Sequence, residues 1–145
     1  MTPQQPTVAL TAVPTDDGGN RARAGYTVLV TDDDENVREL VTYKLEAAGY
    51  RTVTAADGHT AWEIIQAHRP DLVILDISMP GMDGLSVCHQ MHRTTGSDDI
   101  PVIMLSSRGT PVDVDLGYVR GADAYLIKPV NPALLLERVR ELLAG

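Results

Sequence analysis

With Cys88 as its only cysteine, the chain excludes an intrachain disulfide and the disulfide-framework folds of small secreted proteins; a reducing setting, the cytoplasm, is expected. Long apolar runs are also missing. The longest extend only a few residues, against the roughly 20 that a membrane-crossing helix needs. Clustered cations are absent too: 12 Lys and Arg against 20 Asp and Glu leave a formal net charge of −8. That disfavours direct nucleic-acid binding by this chain, because phosphate backbones are gripped by grouped Lys and Arg. No secretory leader is expected in residues 1–25, since the stretch from Val8 to Val13 is short, interrupted by Thr11 and closed by Pro14. Neither an internal repeat nor a Gly-Ser linker divides the chain.

What is present is a hydrophobic content of 43%, spread evenly from Tyr26 onward. At 145 residues this suffices for one core. Residues 1–25 are different. Their Pro, Thr, Gly and Asn, with the run Asp16, Asp17, Gly18, Gly19, Asn20, bury too little apolar surface to offset ordering entropy. The expectation is a disordered tail over 1–25 and a single domain over 26–145.

From Tyr26, short β-branched runs alternate with longer stretches of helical spacing, which is the mark of βαβ units on a parallel sheet. Five strands are expected at Thr27 to Val30, Arg51 to Ala55, Leu72 to Leu75, Val102 to Leu105 and Ala124 to Ile127. Val37, Leu40, Val41, Leu45 and Ala48 share one helical face, with Gly49 at a left-handed cap position. Ala61, Ile64, Ile65 and His68 mark a second helix ended by Pro70, and Leu85, Cys88 and Met91 a third, with Cys88 as core filling. Thr110 and Pro111 open an irregular fourth helix containing Gly117; Asn131 and Pro132 open a fifth with Leu135, Val139, Leu142 and Leu143 buried. The fifth helix runs almost to Gly145, so no output domain is expected within these residues. Right-handed crossovers over five strands favour an α/β, doubly wound, flavodoxin-like parallel sheet of order 2-1-3-4-5 with five helices.

Ligands of such sheets bind beyond the carboxyl ends of the strands, so the residues following each apolar run matter most. Strand one leads into Asp32, Asp33, Asp34 and Glu35, strand three into Asp76, strand four into Ser106 and Ser107, and strand five into Lys128 and Pro129. Asp34 and Glu35 suit the positive end of the first helix. Asp32, Asp33 and Asp76 converge in the expected order, and three carboxylates repel by about 1 kcal/mol per pair at 4 Å even in water. A hard divalent cation such as Mg²⁺ offsets this while keeping coordination positions for phosphate oxygens. Lys128 adds a fixed positive charge and Ser106 a hydroxyl. A metal, an ammonium and a hydroxyl around one carboxylate suit phosphoryl transfer, with Asp76 as nucleophile.

Other chemistries lack their groups. A haloacid-dehalogenase-like phosphatase needs a second acid two residues after the nucleophile, where Ser78 stands. A dinucleotide site needs a Gly-rich turn after strand one, where four acids stand, and no Walker-type loop occurs. His59, His68, His89 and His92 show no metal-ligand spacing.

Four segments, VLVTDDD (Val28 to Asp34), VILDISMPGMDG (Val73 to Gly84), VIMLSSR (Val102 to Arg108) and GADAYLIKP (Gly121 to Pro129), resemble the receiver domain of two-component response regulators. The resemblance covers Tyr26 to Leu143. It implies that Asp76 accepts a phosphoryl group from a sensor histidine kinase or phosphotransfer protein, in a switch and not a turnover enzyme. It implies Asp33 as a direct Mg²⁺ ligand, Asp32 as a mainly water-mediated one, and the backbone carbonyl of Ser78 as a further ligand. Lys128 would pair with the phosphoryl oxygens, and Ser106 would bond one of them and couple to inward rotation of Tyr125. A cis bond between Lys128 and Pro129 is also implied. The resemblance also puts Ser78 and Arg108 at positions flanking the site that in the family influence phosphoryl lifetime. Thr31, where an apolar residue is usual, and Ser106, where threonine is commoner, depart from the pattern without removing a needed group. The resemblance is compatible with a phosphorylation-dependent homodimer through the fourth helix, fifth strand and fifth helix. Two other readings remain open at this point: a phosphorylation-independent interaction module with the same fold, and a receiver excised from a longer transcription factor or signalling enzyme.

Overall fold

The computed structural model describes residues 25–107 and 111–144. The expected tail over 1–25 lies outside the described residues except for Gly25, and Arg108 and Thr110 also lie outside them. The strands are β1 (Thr27–Thr31), β2 (Arg51–Ala55), β3 (Leu72–Asp76), β4 (Val102–Ser106) and β5 (Ala124–Ile127). They alternate with α1 (Glu35–Ala47), α2 (Gly58–His68), α3 (Gly84–His92), α4 (Pro111–Val119) and α5 (Pro132–Ala144). All neighbouring strands are parallel, in the order β2-β1-β3-β4-β5. That is the sheet expected from the alternation.

The two-residue period of the central strands divides their side chains between two apolar layers. Leu29, Val73, Leu75, Val102 and Met104 pack with Ala61 and Ile65 of α2 and Val87, Cys88 and Met91 of α3. Val28, Val30, Leu72, Ile74, Ile103 and Leu105 pack with Val41 and Leu45 of α1 and Leu135 and Val139 of α5. Each fully buried aliphatic side chain contributes about 1.5–3 kcal/mol, so both faces of the sheet must be covered for the architecture to persist.

Local signals set the helix ends. Asp34, Asp57 and Asp83 cap α1, α2 and α3, each carboxylate accepting a backbone N–H of the first turn. Asn131 does the same for α5, its Oδ1 accepting the N–H groups of Ala133 and Leu134. After α1, Gly49 has φ 102°, its N–H donates to Glu46 O, and the Tyr50 N–H donates to Leu45 O. This paired pattern closes the helix as its glycine foretold.

Three expectations need correction. β1, β3 and β4 each run one residue further than their apolar runs, to Thr31, Asp76 and Ser106, because backbone bonding continues beyond the apolar side chains: the Asp32 N–H donates to Ala55 O and the Ile77 N–H to Leu105 O. α2 is ended by Arg69, which takes the left-handed conformation at φ 46°, and not by Pro70 itself. Leu40 is 41% exposed; it lies at the margin of the α1 stripe, which buries Val41 and Leu45 instead.

Candidate functional site

Asp32 and Asp33 follow β1, Asp76 ends the adjacent β3, and Lys128 follows β5. Ligand oxygens of the three carboxylates lie within 4.8 Å of one another. Asp32 is fully buried and Asp76 is 3% exposed, whereas Asp33 faces solvent. The Lys128 ammonium bridges the two buried acids, with Nζ 2.9 Å from Asp32 Oδ2 and 3.3 Å from Asp76 Oδ1. One ammonium against three carboxylates leaves the group electron-rich.

Asp32 is held from several sides. Its Oδ1 accepts the Asp34 N–H at 2.9 Å, and its backbone carbonyl accepts from Arg38 Nη1 at 2.9 Å. Its Oδ2 is met by Lys128 alone among the described residues, so a buried carboxylate oxygen keeps lone-pair capacity for a further partner. Asp76 Oδ1 accepts the Ser78 N–H at 3.3 Å. Burial pushes the Asp76 carboxyl up from its ordinary 3.8 to about 6, and the Asp32 charge adds to this while Lys128 opposes it. Burial works against the Lys128 ammonium, but its contacts with Asp32 and Asp76 outweigh that and raise its pKa.

Such a donor set fits a hard divalent cation: three carboxylates within reach of one point, one buried oxygen met by Lys128 alone among the described residues, and one acid destabilised by burial and by its charged neighbour. A cleft of about 430 Å³ opens beside it, bordered by Asp33, Ser78, Pro80 and Asp83 over apolar Ile77 and Leu85. Ser78 is exposed on the loop leaving β3.

The remaining candidates lie around this centre. Ser106, 1% exposed, ends β4 one step beyond Leu105, the register partner of Asp76. Its carbonyl accepts the Lys128 N–H at 2.8 Å, which ties β4 to the segment carrying the lysine. The Lys128–Pro129 bond is cis. Tyr125 on β5 pairs with Met104 on β4 and is buried in the layer containing α2 and α3. A Cβ on Gly117 would stand 2.6 Å from the Tyr125 ring, so that glycine gives the ring its seat against α4. None of the histidines joins the acidic group. Cys88 is buried with its thiol pushed up to about 12, first by burial and then by the Asp123 charge, which suits packing and not reactivity.

Sequence reasoning missed Arg38, and it noted Thr31 only as a departure from the family pattern. Arg38 reads as an ordinary charge on α1, and nothing in its spacing announces a contact with the Asp32 carbonyl. Thr31 is fully buried and its hydroxyl has no partner among the described residues; the only signal was a hydroxyl in an otherwise apolar strand.

Comparison with known proteins places this geometry in a family. The description "Response regulator receiver domain" matches residues 28–140. The chain is 42% identical over 116 residues to the probable transcriptional regulator ycf27 of Cyanophora paradoxa, covering 80% of this chain and 47% of that protein. It is 41% identical over 113 residues to the DNA-binding response regulator MtrA of Mycobacterium tuberculosis, covering 78% of this chain and 48% of that protein. The chain thus spans about half the length of the curated relatives it matches. Among solved structures, a putative response regulator from Chloroflexus aurantiacus superimposes with a TM-score of 0.80 at 35% identity, covering 83% of this chain and 98% of that one.

Proposed function

The chain belongs to the response regulator receiver family, and from that premise we propose that Asp76 is phosphorylated by a sensor histidine kinase or phosphotransfer protein, with Mg²⁺ bound by Asp32, Asp33, Asp76 and the Ser78 carbonyl. The observation that carries this reading is the placement of Asp76: nearly buried, within reach of two further carboxylates, and touched by Lys128. When bound, Mg²⁺ neutralises the acidic group and gathers phosphoryl oxygens.

An Asp76 carboxylate oxygen attacks phosphorus, a new O–P bond forms, and the P–N bond to the donor histidine breaks with its electron pair going to the imidazole. Lys128, already 3.3 Å from Asp76 Oδ1, follows the negative charge onto the phosphoryl group. Asp32, fixed by the Asp34 N–H and by Arg38, holds its place as Asp76 changes charge. Ser106 donates its hydroxyl to a phosphoryl oxygen, and Tyr125 on the neighbouring strand follows that movement inward. The output is an altered partner-binding face, so the protein acts as a switch and not as a turnover enzyme.

A phosphorylation-independent module is not favoured, because the acids, the lysine and the hydroxyl are all in place. Incubation with a small phosphodonor and Mg²⁺, followed by intact-mass measurement, tests the reading. A phosphoryl adduct is expected on the wild type and not on Asp76→Asn. An adduct on both proteins, or on neither, overturns it.

A further inference from the structure

The loop from Ile77 to Asp83 leaves β3 at Asp76 and enters α3 at Gly84, and it carries Ser78. Two glycines outside it press on its backbone. A Cβ on Gly84 would lie 2.3 Å from the carbonyl oxygen of Asp76, and the Gly84 N–H donates to Ile77 O at 3.0 Å. A Cβ on Gly58, the first residue of α2, would lie 1.8 Å from the Met82 carbonyl oxygen and 2.7 Å from its carbon. The next residue continues the contact: the His59 ring packs against Gly81, where a Cβ would stand 3.1 Å from Cδ2.

Gly58 does not owe its identity to backbone conformation, since it shows none of the positive φ that marks Gly81 at 73°. Close approach to a carbonyl is the reason that remains. A backbone oxygen has no rotamer by which to step aside, so any side chain at residue 58 must displace either the loop or the start of α2. That start is itself pinned, with Asp57 Oδ1 accepting the Thr60 N–H at 2.8 Å.

We propose that Gly58 is a positioning residue of the phosphorylation site: its contact with the Met82 carbonyl holds the Ile77–Asp83 loop where the Ser78 carbonyl can serve a divalent cation. The inference rests on the reading in which Ser78 contributes that carbonyl. Mg²⁺ tolerates little departure from octahedral geometry at about 2.1 Å, so a loop shifted by about an ångström should lose the ion. By reciprocity, binding of the ion should steady the first turn of α2, which does not touch it.

Calorimetric titration with Mg²⁺ tests this on the wild type, Gly58→Ala and Ala67→Gly. Ala67 lies exposed in the last turn of α2, away from the turn that meets the loop, and its change to glycine weakens the helix as a control for destabilisation alone. At a temperature where circular dichroism shows all three folded, Gly58→Ala is expected to raise Kd about fivefold or more, and Ala67→Gly to leave it within about twofold. A folded Gly58→Ala with wild-type Kd overturns the inference, as does an equal loss of affinity in Ala67→Gly. If Gly58→Ala does not fold, amide exchange in the wild type decides: slower exchange at Thr60 and Ala61 on adding Mg²⁺ supports the coupling, and unchanged exchange overturns it. A wild type that binds no Mg²⁺ refutes the metal reading itself, which separates the two failures.

Discussion

Replacing Asp76 by Asn should make the metal-free protein more stable at neutral and alkaline pH, and less so as the solution is acidified. Burial and the Asp32 charge lift the Asp76 carboxyl from 3.8 to about 6. Below pH 3.8 both folded and unfolded chains hold the proton, and the group has no effect on stability. Between 3.8 and 6 the folded state holds a proton that the unfolded state has released, so stability falls as pH rises through this window. Above 6 the whole penalty stands, at most about 3 kcal/mol from 1.36 kcal/mol per pH unit. Asn keeps the shape and removes the charge, but it also deprives Lys128 of one partner, so the net gain at pH 8 should be about 1–3 kcal/mol. For a domain of this size that is roughly 4–12 °C in melting temperature. Thermal unfolding followed by circular dichroism in EDTA, from pH 4.5 to 8, reads the difference. Millimolar Mg²⁺ should then raise the wild type well above its EDTA value and the variant much less, narrowing the gap. A variant no more stable than wild type at pH 8, or a gap that does not change with pH, would refute the account of Asp76 as a strained acid.

Two further substitutions follow from the packing. Thr31→Val removes a fully buried hydroxyl without a partner among the described residues at nearly constant volume, and should raise stability by about 1 kcal/mol, seen as a higher urea midpoint; a lower midpoint would show that the hydroxyl is satisfied. Gly117→Ala places a Cβ 2.6 Å from the Tyr125 ring, and should drive the ring outward despite a helix gain of up to about 1 kcal/mol. Increased solvent accessibility of Tyr125 by NMR is the expected result, and an unchanged ring environment with raised stability would contradict it.

The alternation of β-branched runs with helical stripes is a local signal, and the sheet order and both apolar layers were legible from it. Gly49 and Asn131 were equally readable, because a cap is decided by a few neighbouring residues. Strand ends were less so: Asp76 and Ser106 belong to the ladder through backbone bonds that polar side chains conceal. The end of α2 was misjudged for a related reason. Pro70 explains why the helix cannot continue, but Arg69 bears the left-handed turn. Leu40 shows the limit of periodicity, which locates a stripe without saying how wide the covering layer is.

Acceptor, acidic pair, hydroxyl and lysine were candidates from the sequence because each follows a hydrophobic strand, and chain order brings the ends of parallel strands to one edge. Their energetics depended on the assembled fold. Only there does burial combine with the Asp32 charge to lift Asp76, and only there does Lys128 meet Asp32 and Asp76 together. Arg38 at the Asp32 carbonyl and Gly58 against the Met82 carbonyl are likewise contacts between side chain or Cβ position and a backbone oxygen. The residue type of the partner leaves no mark on such contacts, so no pattern of letters announces them. Strand and helix identity came from local chemistry; charge balance and close approach came from distances across the fold.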